Sequence, residues 1–490
     1  MSIAEKIEQV PNIIGGKHVY SQARERLAVT NPCTGEVLSE VPLSSAADLD
    51  QAVKAAAIAQ KEWGKLSLKD RVQVIFRLKT LMEENADALA ALICKENGKT
   101  LPEAHGELSR AVECAEYATS LPQVAGGIAQ EVSRGVECKL NRYPLGVVAA
   151  ITPFNFPLMV PMWMAPTAIA CGNAFILKPS EQTPLSAIEL GRMFDEAGLP
   201  AGIFSVVNGG REIVEAICDH PGISAIGFVG STKVAKAVFD RGSLHNKRVK
   251  ALGGAKNHLI VMPDADPDMT AANVVASATG CAGQRCMAAS VLLAVGDVEP
   301  ILDKIKDKFR AMQAGKEIGS VISPGAKERI LSFIDNAEKH GAKLAVDGRK
   351  SIAANAPSGG YYVGPSVFDH AKPEHAVSCD EIFGPTLTII RCKTLDEAIA
   401  IENNNPYGNA AAVYTSSGEV ANYFTERANS GMIGVNIGVP VPREPFPFGG
   451  WNDSSFGQGD LTGAGSYDFW TKTKKITTKW TDKNRSNWMS

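Results

Sequence analysis

The 490-residue chain lacks the cysteine spacings that characterise disulfide frameworks and zinc ribbons. Its ten cysteines include no Cys-x-x-Cys pair, and the two nearest in sequence, Cys281 and Cys286, are separated by four residues. Histidine motifs of the His-Glu-x-x-His type are also missing. We therefore expect neither a disulfide-stabilised secreted fold nor a metal site.

A strong excess of one charge is missing as well. Lys plus Arg number 50 against 53 Asp plus Glu, which gives a formal net charge of −3. No global field then favours nucleic acid or an anionic membrane surface, so neither is expected as a partner. The first residues, MSIAEKIEQVPNII, show no positive region followed by an apolar run. We expect no secretory signal and a cytoplasmic protein.

One long uncharged segment, residues 143–177, has the length of a membrane span. Five prolines and two asparagines interrupt it. In lipid, such breaks would leave backbone groups without hydrogen-bond partners. We therefore interpret the segment as buried core of a water-soluble domain.

The hydrophobic pattern predicts an α/β protein. A chain of this length exceeds what one core usually serves, so two or three domains are expected. Residues 44–100 show the three-and-four spacing of amphipathic helices. Strand-like runs such as LGVVAAI, NAFILKP and AIGFVG then alternate with helical segments, and the alternation restarts after LIVMPDAD. This rhythm predicts two parallel-sheet α/β domains, and the tail TKTKKITTKW predicts a strand that needs a partner sheet.

Two strand ends carry residues suited to a nucleotide, although the Gly-x-Gly-x-x-Gly fingerprint is absent. In AIGFVGSTKV, Ser231 stands where a helix begins, and it either caps that helix or helps to bind a phosphate. In FILKPSEQTP, Lys178 and Glu181 follow a buried strand. A carboxylate there can accept hydrogen bonds from both ribose hydroxyls of adenosine and would repel a 2′-phosphate.

A candidate nucleophile lies in ATGCAGQRCMAAS. Cys286 follows Gly283 and adjoins Arg285, and a cationic, flexible surround favours a thiolate. The alternative is an ordinary buried cysteine. Cys281 is either a core residue or a second thiol near the site, and we favour the core.

Five segments together resemble the aldehyde dehydrogenase superfamily: TPFNFP, ILKPSEQTP, GFVGSTKV, GQRC and EIFGP, in this order. The resemblance covers nearly the whole chain. It implies a fold of two parallel-sheet α/β domains, one for the cofactor and one for catalysis, with a β oligomerisation hairpin.

The same resemblance implies residue roles. Cys286 matches the nucleophile that attacks the aldehyde, and Asn155 matches the amide that stabilises the oxyanion together with the Cys286 backbone N–H. Glu181 points to NAD rather than NADP. The implied cofactor contacts are Phe154, Lys178, Glu181, Ser231, Glu381 and Phe383.

The sequence departs from the hydrolytic members of the superfamily at VKALGGAKNHLIV. Those members carry Glu-Leu-Gly-Gly-Lys, whose Glu activates the water that cleaves the thioester, whereas this chain has Ala251 there. A missing general base should slow hydrolysis ~10²–10⁴-fold. GAKNH, GQRCMA and the Lys-rich tail instead resemble the CoA-acylating methylmalonate-semialdehyde branch, which implies coenzyme A as cosubstrate.

That branch implies a small semialdehyde substrate bearing a carboxylate, methylmalonate or malonate semialdehyde. The carboxylate is lost after oxidation, and propionyl-CoA or acetyl-CoA results. A carboxylate needs a nearby cation, and Arg285 and Arg110 are the candidates. For Arg110, a salt bridge on the helix surface is the alternative.

The resemblance also implies a domain division and an assembly. Residues 1–121 and 145–252 would bind NAD, 253–467 would form the catalytic domain, and 122–144 with 468–490 would supply oligomerisation strands of a homodimer or homotetramer. Two other functions stay open. One is a hydrolytic dehydrogenase in which Glu381 or a water chain replaces the missing base, and the other is a non-catalytic structural or binding member of the superfamily.

Overall fold

The computed structural model describes residues 8–339 and 341–480. The strands are β1 (Asn12–Ile14), β2 (Lys17–Val19), β3 (Arg26–Thr30), β4 (Val37–Pro42), β5 (Ile128–Ser133), β6 (Val136–Pro144), β7 (Val147–Ile151), β8 (Ala174–Lys178), β9 (Phe204–Val206), β10 (Ile223–Val229), β11 (Arg248–Leu252), β12 (Asn257–Val261), β13 (Ala289–Val295), β14 (Lys343–Val346), β15 (Ser366–Asp369), β16 (Thr386–Cys392), β17 (Tyr407–Gly408), β18 (Ala410–Tyr414), β19 (Met432–Val435), β20 (Trp451–Asn452), β21 (Ser455–Phe456) and β22 (Thr471–Lys479).

Helices alternate with these strands along most of the chain. They are α1 (Ala46–Trp63), α2 (Leu68–Glu84), α3 (Ala86–Asn97), α4 (Leu101–Val124), α5 (Met159–Ala170), α6 (Leu185–Glu196), α7 (Arg211–Asp219), α8 (Thr232–Leu244), α9 (Pro267–Thr279), α10 (Glu299–Ala311), α11 (Pro324–Lys339), α12 (Ala376–Cys379), α13 (Leu395–Asn403), α14 (Gly418–Arg427) and α15 (Gly463–Phe469).

Two large sheets organise the molecule. The first has the order β2-β1-β9-β8-β7-β10-β11-β21. Its five central strands, β9, β8, β7, β10 and β11, run parallel. The second has the order β14-β15-β16-β13-β12-β18-β19, and all its pairings except β14–β15 are parallel. Strands such as β7 and β8 are buried along their whole length because helices cover both faces. The predicted α/β class is confirmed.

The uncharged segment forms β7, a connecting loop, α5 and β8. Every residue of α5 is buried, so its apolar sequence serves the core of the first sheet. Pro153 and Pro157 lie in the loop, where they need no backbone N–H to bond. Within the two described ranges, no helix is long and apolar enough to cross a membrane.

The helices predicted over residues 44–100 are α1, α2 and α3. A capping box of Ser45 and Asp48 begins α1, and Gly98 ends α3 with a φ of +86°. The next helix, α4, extends to Val124, so the first hairpin strand begins only at Ile128.

A separate three-stranded sheet has the order β22-β6-β5. The tail strand β22 pairs antiparallel with β6 from Thr471 opposite Pro144 to Lys479 opposite Val136. The partner that the tail sequence requires is thus the chain's own hairpin. The predicted tail segment 468–490 continues beyond it, and residues 481–490 lie outside the described part of the chain.

Candidate active site

A cavity of about 620 Å³ lies at the carboxyl edge of the first sheet. The loops that follow its parallel strands line the cavity in the order of those strands. Arg211 begins the helix that follows β9, Glu181 follows β8, Asn155 follows β7, Ser231 follows β10 and Gly253 follows β11. Ligands of open α/β sheets bind at this edge because neighbouring strand ends diverge there.

Three segments of the second half of the chain complete the cavity. One carries Cys286, another carries Glu381 and Phe383, and α11 contributes Arg329. The cavity therefore brings together all eight residues predicted as catalytic or cofactor-binding, which are Phe154, Asn155, Lys178, Glu181, Ser231, Cys286, Glu381 and Phe383.

The loop before Cys286 is tightly held. A 3-10 turn at Gly280–Gly283 precedes it, in which Cys281 and Gly283 have φ angles of +52° and +72°. Gly283 packs against the Gly384 carbonyl, and a Cβ there would collide with it. The Cys286 carbonyl accepts hydrogen bonds from Asn257 Nδ2 at 2.9 Å and Asn409 Nδ2 at 2.8 Å. The backbone of the candidate nucleophile is thereby fixed.

The Cys286 thiol is neutral in this environment. Burial and the nearby Glu381 carboxylate raise its pKa to about 12, and Arg285 opposes them only weakly. The Arg285 side chain turns away from Cys286, because its Nε donates to Cys281 Sγ at 3.2 Å and its Nη2 lies 3.6 Å from Glu103. Arg285 acts in the expected direction on the pKa of Cys286, but burial and Glu381 outweigh it. Cys281 is a core residue, as favoured.

Asn155 is buried beside the nucleophile loop. Its Nδ2 donates to the Gln284 carbonyl at 2.9 Å, two residues before Cys286. The backbone carbonyl of Asn155 accepts a hydrogen bond from Lys99 Nζ at 2.8 Å. The amide thus lies within hydrogen-bond reach of the segment that carries the thiol.

The residues at the ends of β8 and β10 fit an adenosine diphosphate. Burial opposes ionisation of Glu181, but Lys178 Nζ, 2.9 Å from Glu181 Oε2, holds its pKa below the ordinary value. The result is an ionised acceptor suited to a ribose diol. Ser231 stands at the start of α8 without a side-chain bond to that helix, so its hydroxyl is free of a capping role. Capping by the Ser231 side chain, the alternative considered above, is not observed.

Glu381 and Phe383 reach the cavity from the second half of the chain. Glu381 Oε1 accepts from the Ala255 backbone N–H at 3.0 Å, and burial raises the pKa of this carboxyl. Phe383 adopts a left-handed φ of +54° and packs edge-to-face on Phe154 with ring centroids 5.9 Å apart. These contacts join the two sheets across the cavity.

The position of the missing general base is apolar. Ala251 is completely buried in β11, paired with Phe228 of β10 and Phe456 of β21. The next residue, Leu252, is also a buried hydrocarbon. Among the described residues that line the cavity, the carboxylates are Glu181 and Glu381.

The two arginines predicted to bind substrate do not line this cavity. Arg110 pairs with Glu113, and its Nη2 lies 3.2 Å from the Pro442 carbonyl and 3.5 Å from Glu444. This is the salt-bridge arrangement considered as the alternative for Arg110. Both arginines are held by acidic side chains of their own chain.

Several residues of the site were not anticipated. Arg329 on α11 lines the cavity 3.4 Å from the Glu381 carbonyl, yet its sequence context is that of an ordinary charged helix. Lys256 is buried beside Glu381, and burial lowers its pKa to about 8. The amides of Asn257 and Asn409 carry no motif signal of their own, although Asn257 lies in GAKNH.

Comparison with known proteins agrees with this geometry. The model of the Aldehyde dehydrogenase family matches residues 18–476. Malonate-semialdehyde dehydrogenase 2 of Geobacillus thermodenitrificans is 45% identical over 96% of this chain and 98% of its own. Malonate-semialdehyde dehydrogenase of Halalkalibacterium halodurans is 44% identical over 96% and 99%.

Solved structures give the same picture. A Sinorhizobium meliloti chain described as a methylmalonate-semialdehyde dehydrogenase, complexed with NAD, superposes with a TM-score of 0.95 at 41% identity, covering 97% of this chain and 99% of its own. Methylmalonate-semialdehyde dehydrogenase of Oceanimonas doudoroffii gives a TM-score of 0.95 at 39% identity, with the same coverage.

Proposed function

This chain belongs to the aldehyde dehydrogenase family, and from that premise we propose that it oxidises malonate or methylmalonate semialdehyde with NAD and transfers the acyl group to coenzyme A. One observation carries the choice of acyl acceptor. Strand β11 has the buried methyl group of Ala251 where hydrolytic relatives carry their base, and the carboxylates among the described residues that line the cavity of Cys286 and Asn155 are Glu181 and Glu381.

Acylation begins with Cys286. Its sulfur forms a bond to the aldehyde carbon, and the carbonyl oxygen becomes an oxyanion. Asn155 Nδ2 and the Cys286 backbone N–H are the proposed donors to that oxygen, because charge develops there only as the bond forms. Since the pKa of the thiol is about 12, its proton must pass to solvent as the sulfur attacks.

The cofactor contacts follow from the order of loops along the sheet edge. When bound, NAD supplies the acceptor for the hydride that leaves the aldehyde carbon. Lys178 and Glu181 would hold the adenosine ribose, and Ser231 the pyrophosphate. Glu381, Phe383 and Phe154 would hold the nicotinamide end beside Cys286.

Release of the acyl group requires a nucleophile stronger than unassisted water. We propose that the bond between the α-carbon and the carboxylate breaks, that carbon dioxide leaves, and that the α-carbon takes a proton from solvent. The thiol of coenzyme A then takes the acyl group from Cys286, and the proton of that thiol passes to the Cys286 sulfur. The sum is semialdehyde, NAD and coenzyme A giving acetyl-CoA or propionyl-CoA, carbon dioxide and NADH. Arg110 and Arg285 are the proposed carboxylate contacts, and each would exchange an acidic partner, Glu444 or Glu103, for the substrate.

We further propose the domain boundaries expected from the sequence. Residues 1–121 and 145–252 bind NAD, 253–467 form the catalytic domain, and 122–144 with 468–490 mediate assembly into a homodimer or homotetramer. In support, the hairpin strand β5 is exposed along its whole length. It presents Ile128 and Val132 with more than half of each surface exposed, a pattern that favours burial against another subunit.

The decisive experiment measures NADH formation from malonate semialdehyde with and without coenzyme A and identifies the product by mass. We expect acetyl-CoA and a strong dependence on coenzyme A. Cys286→Ala should abolish turnover, whereas Cys138→Ser in β6 should not.

Each other outcome identifies a different function. Free acid formed at equal rates with and without coenzyme A would replace acyl transfer with hydrolysis, and Glu381 would then be the base to substitute next. Absence of NADH formation, together with no labelling of Cys286 by an aldehyde-like probe, would indicate a non-catalytic protein.

A further inference from the structure

A fully buried ion pair lies behind the loop that carries Asn155. Lys99 Nζ is 2.5 Å from Glu107 Oε2, and both side chains are 0% exposed. Neither residue lines the cavity. Nothing in the proposed chemistry uses either charge.

The ion pair is bonded directly to that loop. Lys99 Nζ donates to the Asn155 carbonyl at 2.8 Å and lies 4.3 Å from the centroid of the Phe156 ring. Glu107 Oε1 accepts from the backbone N–H groups of Leu158 at 2.9 Å and Met159 at 3.1 Å.

A third side chain holds the same loop one residue earlier. Asn97 Nδ2 donates to the Phe154 carbonyl at 2.9 Å. We call Asn97, Lys99 and Glu107 the anchor cluster. It fixes the backbone on both sides of Asn155, while the Asn155 amide points the other way, to the Gln284 carbonyl.

Stability alone does not account for this arrangement. Removing two charges from water costs several kcal/mol per ion, so apolar residues of similar volume often serve a fold equally well or better. What apolar residues cannot supply is a directed donor to one carbonyl and a directed acceptor for two neighbouring N–H groups.

We propose that the anchor cluster is a positioning device for Asn155. It holds the loop so that the amide reaches the oxyanion formed at Cys286. The inference rests on the proposed function, since it takes Asn155 to be an oxyanion donor. Lys99, Glu107 and Asn97 are positioning residues, because they touch the loop and not the reacting atoms.

The test separates positioning from stability. Lys99→Met alone leaves Glu107 charged and unpaired in the interior, so it should lower the melting temperature. The double variant Lys99→Met/Glu107→Gln removes both charges and keeps an acceptor for α5, so it should recover most of that stability. Single-turnover NADH formation should nevertheless stay slow in the double variant, by roughly 10²-fold, because a misplacement of about 1 Å has effects of this size. The KM for NAD should not change.

A double-mutant cycle gives a readout that a purely structural role would not move. Asn155→Ala should slow acylation ~10²–10³-fold in the parent. In the Lys99→Met/Glu107→Gln background the same substitution should cost far less, because the amide is already misplaced. Asn97→Ala, which leaves the ion pair intact, should slow acylation less than the double variant does.

Parental acylation rates in the folded double variant or in Asn97→Ala would overturn the proposal, as would an undiminished cost of Asn155→Ala in the double variant. Failure of the proposed function has a different signature. In that case Asn155→Ala in the parent would leave acylation unchanged.

Discussion

Cys286 combines a fixed backbone carbonyl with a thiol whose pKa is raised. Two amides, from Asn257 and Asn409, hold its carbonyl, and burial keeps the thiol neutral. A neutral thiol protects the enzyme from adventitious electrophiles, because the thiolate is the reactive form. The reaction must therefore remove the proton at the moment of attack.

Alkylation of Cys286 by iodoacetamide should report this directly. With a pKa of about 12, the thiolate fraction rises tenfold per pH unit throughout the range below that value. We expect the alkylation rate of the Cys286 peptide, followed by mass spectrometry, to climb steadily from about pH 7 to about pH 10. A plateau near the ordinary thiol pKa would contradict the burial argument, and Cys286→Ala supplies the background.

Glu181 should set the choice between NAD and NADP. Glu181→Gln removes the negative charge and leaves Lys178 without its partner, which favours a 2′-phosphate. We expect the ratio of kcat/KM for NADP to that for NAD to rise about tenfold, equivalent to ~1.4 kcal/mol. Glu196→Gln, at the far end of α6, is the matched control. An unchanged ratio would assign Glu181 another role.

The sequence predicted the site residues better than it predicted the residues that hold them in position. Cys286, Asn155 and Glu381 lie in motifs, and the fold gathers all three at one cavity. Lys99 and Glu107 are eight residues apart in a segment that reads as an ordinary charged helix. Their burial depends on α5 packing over them, which no local pattern encodes. The direction of Arg110 was equally unpredictable, because it depends on Glu444, distant in sequence.

At the level of elements, the fold was predictable where hydrophobic periodicity is strong. The all-buried strands β7 and β8 and the helices α1 to α3 correspond to runs visible in the sequence. Turns that depend on distant backbone were not visible. The 3-10 turn before Cys286 is one, because its shape depends on the contact between Gly283 and Gly384.

Gly283→Ala should damage this turn. Its φ of +72° disfavours any side chain, and the Gly384 carbonyl occupies the space. We expect a loss of stability of ~1–3 kcal/mol together with a large fall in acylation rate. Gly325→Ala, in the first turn of α11 with open space around it, should leave both unchanged or raise stability slightly. Chemical denaturation and single-turnover NADH formation measure the two effects.

An ion network stabilises the second sheet, and this stabilisation is sensitive to acid. Burial opposes ionisation of Asp369, yet Arg391 lowers its pKa to about 2, and the pKa of Glu299 is likewise lowered to about 2, chiefly by Arg391. Both values lie below those of unfolded carboxyls, ~3.9 and ~4.3. The stabilisation is therefore complete above those unfolded values and is lost as the pH falls from there to about 2.

Asp369→Asn should expose this dependence. Losing charge-assisted hydrogen bonds costs ~1.5–3 kcal/mol, so the melting temperature at neutral pH should fall. Its decline between about pH 4 and pH 2 should become shallower than in the parent, since one of the two depressed carboxyls is gone. Equal slopes in both proteins would show that Asp369 does not contribute.

At the scale of the whole molecule, the three-stranded sheet is the surface proposed to mediate assembly. Deleting residues 474–490 removes most of β22 and leaves β6 with a free edge. We expect a smaller assembly in analytical ultracentrifugation, while the circular dichroism of the two large sheets persists. Glu196→Gln, in α6 outside this sheet, is the control and should leave the assembly unchanged. An unchanged assembly in the deletion variant would place the interface elsewhere.

The bond between Ala255 and Glu381 joins positions 126 residues apart, and the cavity exists only where the two halves meet. Closing such a long loop is slow, because chain entropy opposes it until both partners are formed. In refolding, secondary structure should therefore return before turnover does, and recovered activity should be the last signal to appear. On a ribosome, the same connectivity keeps the nascent enzyme inert until its C-terminal half has emerged and docked.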